Sequence, residues 1–126
     1  MNATEVPSTP NAPTPDPSFQ PRSPGVEVCL LRAHSNGGLT FLVRMAAGAR
    51  AERHDHPGGE ETYVLSGALR IDRRVDAQQQ PQPDVTLAAG QYAFVPPGEI
   101  HEGFAAEETT FLVVAAGGIV RTHEPR

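Results

Sequence analysis

A single cysteine, Cys29, is all the thiol chemistry that this 126-residue chain contains. One thiol excludes an intramolecular disulfide and any cysteine-rich zinc cluster. Cys29 sits in the run Val-Glu-Val-Cys-Leu-Leu and is expected to be a small buried core residue. Basic residues are also outnumbered, with 10 Lys and Arg against 15 Asp and Glu for a net charge of -5. That balance disfavours nucleic acid and anionic membrane surfaces as partners. No apolar run is long enough to span a bilayer. No basic start leads into an apolar stretch of the secretory type, so a cytoplasmic protein is expected. Helical periodicity is missing too, since no segment keeps it over ten residues. A Gly-rich phosphate loop is absent, and no Gly-x-Ser-x-Gly elbow supports serine-hydrolase chemistry.

Proline is plentiful. Pro7, Pro10, Pro13, Pro15, Pro17, Pro21 and Pro24 recur through a stretch with little apolar content. Such a segment neither propagates a helix nor joins a central strand. Residues 1–24 are expected to be a disordered proline-rich tail, residues 25–121 the folded domain, and residues 122–126 a short C-terminal tail. Inside the domain, short apolar runs alternate with Gly, Pro and Asn punctuation. Strands are expected at 26–31, 39–45, 52–56, 60–65, 68–72, 85–87, 92–95 and 111–115, with a short one at 119–121. Residues 78–83 read as a polar loop. Many short strands at this spacing argue for an all-β sandwich or barrel.

Three of the five histidines carry the functional argument. His54 and His56 are two apart, so in an extended strand both imidazoles point to one face. Pro57-Gly58-Gly59 then reverses the chain, and a carboxylate, Glu60 or Glu61, returns beside His56. Two histidines and a carboxylate on one face form a divalent-metal trio with open positions. Further on, Pro96-Pro97-Gly98 stops sheet pairing, and a turn of this kind can fix His101 at the mouth of a barrel. His34 and His123 read as solvated. Asp72, Arg73, Arg74 and Asp76 read as a solvated, charged strand end. Tyr92, Phe94, Arg44 and Met45 are candidates to line a pocket, their facing left open.

The segment Gly48-x5-His54-x-His56-x3-Glu60-x6-Gly67 resembles the first motif of the cupin family at every specified position. Gly90-x5-Pro96-x-Gly98-x2-His101 resembles the second. The one departure is Ala105, where the family usually has an asparagine that is not a metal ligand. The resemblance spans roughly residues 38–118. It implies an all-β double-stranded β-helix, the jelly-roll barrel, with His54, His56, Glu60 and His101 as ligands of one divalent transition metal inside it. Fe, Mn, Ni, Cu and Zn all suit such a set, whereas calcium and magnesium prefer all-oxygen shells. Its spacing selects Glu60 over Glu61. Thr62, Val64 and Ser66 should then face the interior, and Tyr63 and Leu65 outward. Two large apolar residues outside suggest a covered face, and family members are commonly dimers, so a homodimer is expected.

The run Gly-Gly-Glu-Glu-Thr-Tyr-Val-Leu-Ser-Gly is also similar to the cupin domain of ChrR-type anti-sigma factors. The helical sigma-binding domain that precedes the cupin there is not found in this sequence. Two functions from different classes fit the site. The first is a metal-dependent enzyme of oxygenase or isomerase type acting on a small organic substrate, with Tyr92 or Glu102 as candidate bases. The second is a non-catalytic, metal-bound module that senses a small molecule.

Overall fold

The structure, a computed structural model, describes residues 18–121. Twelve strands and no helix make up the described chain. They are β1 (Gln20–Ser23), β2 (Val26–Ala33), β3 (Leu39–Met45), β4 (Arg50–Asp55), β5 (Glu60–Ser66) and β6 (Ala68–Val75). The rest are β7 (Pro81–Gln82), β8 (Val85–Ala88), β9 (Tyr92–Val95), β10 (Ile100–Phe104), β11 (Thr109–Ala115) and β12 (Val120–Arg121). Two antiparallel sheets form, one in the order β1-β2-β3-β11-β5-β9 and one in the order β12-β4-β10-β6-β7, with β8 also on β6. This is the double-stranded β-helix.

Side-chain alternation decides which face of each strand is inside. In β11, Thr109, Phe111, Val113 and Ala115 are buried, and the residues between them are only half-buried. β3 does the same with Phe41, Val43 and Met45. Phe111 lies opposite Val43 and Val113 opposite Phe41, so the two runs share one inner face. Leu69 and Ile71 of β6 and Leu87 of β8 close the core from the other sheet. Cys29 is buried as expected.

The sequence expectation needs correcting at five places. Residues 20–23, inside the expected tail, form the edge strand β1 on β2. An edge strand tolerates Pro21, whose missing N–H is not needed for pairing there. The Arg44 guanidinium stacks on Phe19, 4.0 Å from the ring centroid, and anchors this segment. The tail residues before 18, and His123 with the expected C-terminal tail, lie outside the described residues. Pro81 and Gln82 pair with β6 rather than looping freely. Ser66 is exposed, because the β5–β11 register slips beyond Val64 and the alternation breaks there.

The last two corrections concern charge and histidine. Asp72 is not a solvated strand end. It is 5 % exposed and ion-paired to Arg50 at 2.8 Å and Arg70 at 3.0 Å. Arg74 is also taken up, by a partner described below. His101 sits on a strand, β10, and not on the turn that precedes it. The Pro-Pro-Gly turn ends one strand and starts the next, which the sequence alone showed only as an end.

The turn between β4 and β5 has a tight backbone requirement. A Cβ on Gly58 would meet the backbone nitrogen of Gly117 at 2.5 Å. Gly59 has φ 86° and donates to the His56 carbonyl at 2.9 Å. Gly58→Ala must therefore push two backbone segments apart. It is expected to destabilise the fold by about 2 kcal/mol, read as a lowered urea midpoint; an unchanged midpoint would show that the two turns do not touch.

Candidate metal centre

β4 and β10 lie side by side, with His54 directly opposite His101. Residues so paired point to the same face of the sheet, and the two rings meet edge to face at 4.6 Å. His56 follows one residue after the end of β4, and its ring lies 4.9 Å from that of His54. The Gly59 turn then delivers Glu60 at the first position of β5, in the opposite sheet. His56 Nε2 is 2.8 Å and His101 Nε2 is 3.2 Å from Glu60 Oε1. One ligand atom from each of His54, His56, Glu60 and His101 lies within 4.8 Å of the other three. Glu61 points away and accepts a hydrogen bond from the Tyr92 hydroxyl at 2.8 Å.

Several orientations are set by neighbours. His54 Nδ1 faces the Glu52 carbonyl, which can only accept, so Nδ1 carries the proton and Nε2 is left for the cluster. His101 Nδ1 faces Glu99 Oε2 at 3.1 Å, which leaves its Nε2 as the ligand atom in the same way. Thr62 donates its hydroxyl to Glu60 Oε2, holding the carboxylate. Glu99 is itself gripped by Arg74, with Nε to Oε2 and Nη2 to Oε1 both at 2.9 Å.

Burial and charge pull these groups apart. Burial, reinforced by nearby His101, pushes His54 down to about 4. Burial also depresses His101, but the Glu60 and Glu99 carboxylates outweigh it and push His101 up to about 9. Glu60 is raised by burial yet ends well below the usual carboxylate range, because His101 and His56 lie beside it.

The residues fit a divalent cation on the structure's own terms. His56 Nε2 and Glu60 Oε1 are close but not aligned as donor and acceptor, and both are buried without a hydrogen bond. Such atoms converge on a common point rather than on each other, and a cation placed there would satisfy them. The donor set of three imidazoles and one carboxylate selects a transition metal.

Opposed shifts give the metal-free protein a signed pH profile. His54 has a folded value below its unfolded 6.5, so the unfolded chain binds more protons and stability rises from about pH 4 to 6.5. His101 has a folded value above 6.5, so its contribution is full below 6.5 and is lost as pH climbs to about 9. Urea midpoints measured in chelator are therefore expected to peak near pH 6.5. With metal the upper limb should reverse, because binding displaces the His101 proton. A chelated midpoint that keeps rising to pH 9 would refute the His101 pairing.

The cluster forms one wall of a cavity of about 280 Å³ lined largely by Val, Leu, Ile and Phe side chains from both sheets. Among the candidate liners, Tyr92 and Phe94 lie on the outer surface, each 54 % exposed, and Met45 is sealed in the core. Arg44 is tied to Glu27 at 2.8 Å. Tyr92 cannot serve as a base from outside. Glu102 is held by Arg50 and Arg73, both at 3.1 Å. His34 is half-buried and bonded to Thr40 at 2.7 Å instead of being fully solvated. Ala105, at the family's asparagine position, is fully buried and bonds through its backbone to Gly48 and Ala49. Sequence reading missed Glu99, Thr62 and Arg74 as supports of the site. The signal available for Glu99 was only its place two residues before His101.

Two sheets rolled into a double-stranded β-helix, with a His/Glu cluster facing the interior, define a cupin. A family model described as the ChrR cupin-like domain matches residues 12–120, and the chain belongs to that family. No curated protein matches the sequence. An RmlC-like cupin from Shewanella frigidimarina superposes with a TM-score of 0.71 at 18 % identity, over 88 % of this chain and 93 % of that one. An oxalate decarboxylase variant from Bacillus subtilis gives 0.69 at 23 %, over 82 % of this chain and 28 % of the other. KdgF from a Halomonas species gives 0.61 at 20 %, over 78 % and 86 %. These likenesses establish the fold.

Proposed function

We propose that the protein is a metal-dependent enzyme of oxygenase type that acts on a small organic substrate. His54, His56, Glu60 and His101 hold one divalent ion, Fe, Mn, Ni, Cu or Zn. The observation that carries the reading is the position of the four-ligand cluster on the wall of a 280 Å³ cavity. A ligand filling that cavity contacts the cluster directly, as a purely structural ion would not require. When bound, the ion supplies a Lewis acid and, where redox-active, an electron-transfer centre. The chain's own residues orient and shield. Glu52 and Glu99 set the two imidazoles, Thr62 sets Glu60, and the apolar walls exclude water. An oxalate decarboxylase shares this fold, which supports an enzyme on it, though not the same substrate.

Metal analysis of the purified protein, followed by substrate turnover with and without oxygen, tests the reading. One equivalent of metal with oxygen-dependent turnover supports it. A loaded protein that binds small molecules without turning any over favours the second reading, a sensing module, to which the ChrR cupin-like family match also points.

A homodimer is part of the proposal. Tyr63 and Tyr92 lie opposite each other on the outer face of β5 and β9, with Leu65 and Phe94 beside them. All four are at least 41 % exposed, and β9 is the end strand of its sheet. A second copy covering this patch would remove an exposed apolar surface. Light scattering at micromolar concentration should give twice the chain mass, and a monomer would overturn this part. The proposed setting is cytoplasmic. No helix among the described residues is long and apolar enough to cross a membrane.

A further inference from the structure

Two chemically distinct groups of residues line the cavity. One is the His54, His56, Glu60 and His101 cluster. The other is built from Phe41, Val43, Leu69, Ile71, Phe111 and Val113, the inward residues of three strands from both sheets. None of these six offers a hydrogen bond. A few polar residues also border the space. Arg22 and Glu52 are exposed, and Glu102 is held by Arg50 and Arg73. Ser23 is half-buried on the edge strand β1.

A heavily hydroxylated ligand would leave its hydroxyls unpaired against that wall. An apolar body is solvated by it. The head group is set by the four-residue cluster. Three neutral imidazoles and one carboxylate leave a divalent ion with net positive charge, which attracts an anionic oxygen. Size gives a third constraint. The 280 Å³ space is about twice the ~150 Å³ of a cavity that takes one benzene ring.

We infer that the natural ligand is an organic anion with an apolar body of one ring or a short chain, its oxygen head at the four-residue cluster and its body against the Phe41–Val113 side. This rests on the metal reading above and adds the ligand class to it. Sugar acids and small dicarboxylates lack the apolar body.

The test uses zinc-loaded full-length protein, with metal content measured first, and calorimetric titration with acetate, butanoate, hexanoate and gluconate. Affinity is expected to rise by roughly two- to fourfold per methylene from acetate to hexanoate, with gluconate weaker than hexanoate. A flat series on the zinc-loaded protein, tighter gluconate, or no binding of any acid would overturn the inference while leaving the metal reading standing. The zinc-free protein separates the two. Loss of hexanoate binding there supports the head-group assignment. Equal hexanoate binding without zinc overturns it. Failure to take up zinc overturns the metal reading, and this inference falls with it.

Discussion

His101→Ala is expected to strip the protein of metal, lowering affinity by more than about 100-fold, since even outer partners of a ligand are worth 10- to 100-fold. The same change should destabilise the metal-free protein. His101 is 3 % exposed and lies between Glu60 at 3.2 Å and Glu99 at 3.1 Å. Its removal leaves two buried carboxylates each short of a cationic neighbour, a loss on the order of 3 kcal/mol. Elemental analysis reads the first effect, and urea unfolding in chelator reads the second. Glu60→Gln should lose metal as well, whereas Glu61→Gln should not, because Glu61 faces Tyr92 on the outer surface. Full metal content in His101→Ala, or loss in Glu61→Gln, would mean that the four-residue site is wrongly assigned.

Arg74→Met should produce the second large effect, at a residue that touches no proposed ligand. Arg74 holds Glu99 through two parallel hydrogen bonds, and Glu99 is 3 % exposed. Breaking a buried pair by removing one partner costs about 3–5 kcal/mol. The lower end applies here, because the Arg74 side chain is 14 % exposed and water can reach it. For a domain of this size that is a fall in Tm on the order of 10 °C. Metal affinity should weaken by about 10- to 100-fold, because Glu99 no longer fixes the His101 ring. Glu99→Gln keeps an acceptor for His101 Nδ1 and should fall between Arg74→Met and the wild type. Arg73→Met is the contrast. Its side chain is 61 % exposed, and its pair with Glu102 is worth under about 1 kcal/mol. If Arg74→Met and Arg73→Met behave alike, the chain from Arg74 through Glu99 to His101 does not support the site.

Both predictions concern residues whose legibility in the sequence differed sharply. His54 and His56 could be read directly, because a spacing of two in a strand puts both on one face whatever the rest of the chain does. The Pro-Gly-Gly turn announced the reversal that returns Glu60. Glu99 and Arg74 could not be read in this way. They are 25 residues apart and meet only because β10 lies beside β6. Both looked like ordinary charges at turn and strand ends.

Parity was the second source of error. Alternation carried correctly from Glu60 through Leu65, with Thr62 and Val64 buried and Tyr63 and Leu65 outside. It failed at Ser66, where the pairing with β11 slips. β6 slips likewise against β10, and there Arg73 adopts φ 52°. An irregularity of this kind reverses every facing beyond it and depends on the partner strand, so a single strand's sequence does not display it.

By itself, then, the sequence determined what depends on local periodicity: strands of short length, the shared face of His54 and His56, the inner and outer faces of β5 as far as Leu65, and a tight Gly-Gly turn; motif spacing added the four residues that the structure brings together. Only the tertiary structure decided what depends on strands meeting across the chain. That includes the cross-strand pairing of His54 with His101, the Arg74–Glu99 support behind it, the outward face of Tyr92 and Phe94, and the apolar cavity that the cluster overlooks. The physical reason is common to all of them. Backbone pleat and turn chemistry act over a few residues, whereas register and burial are set by partners tens of residues away.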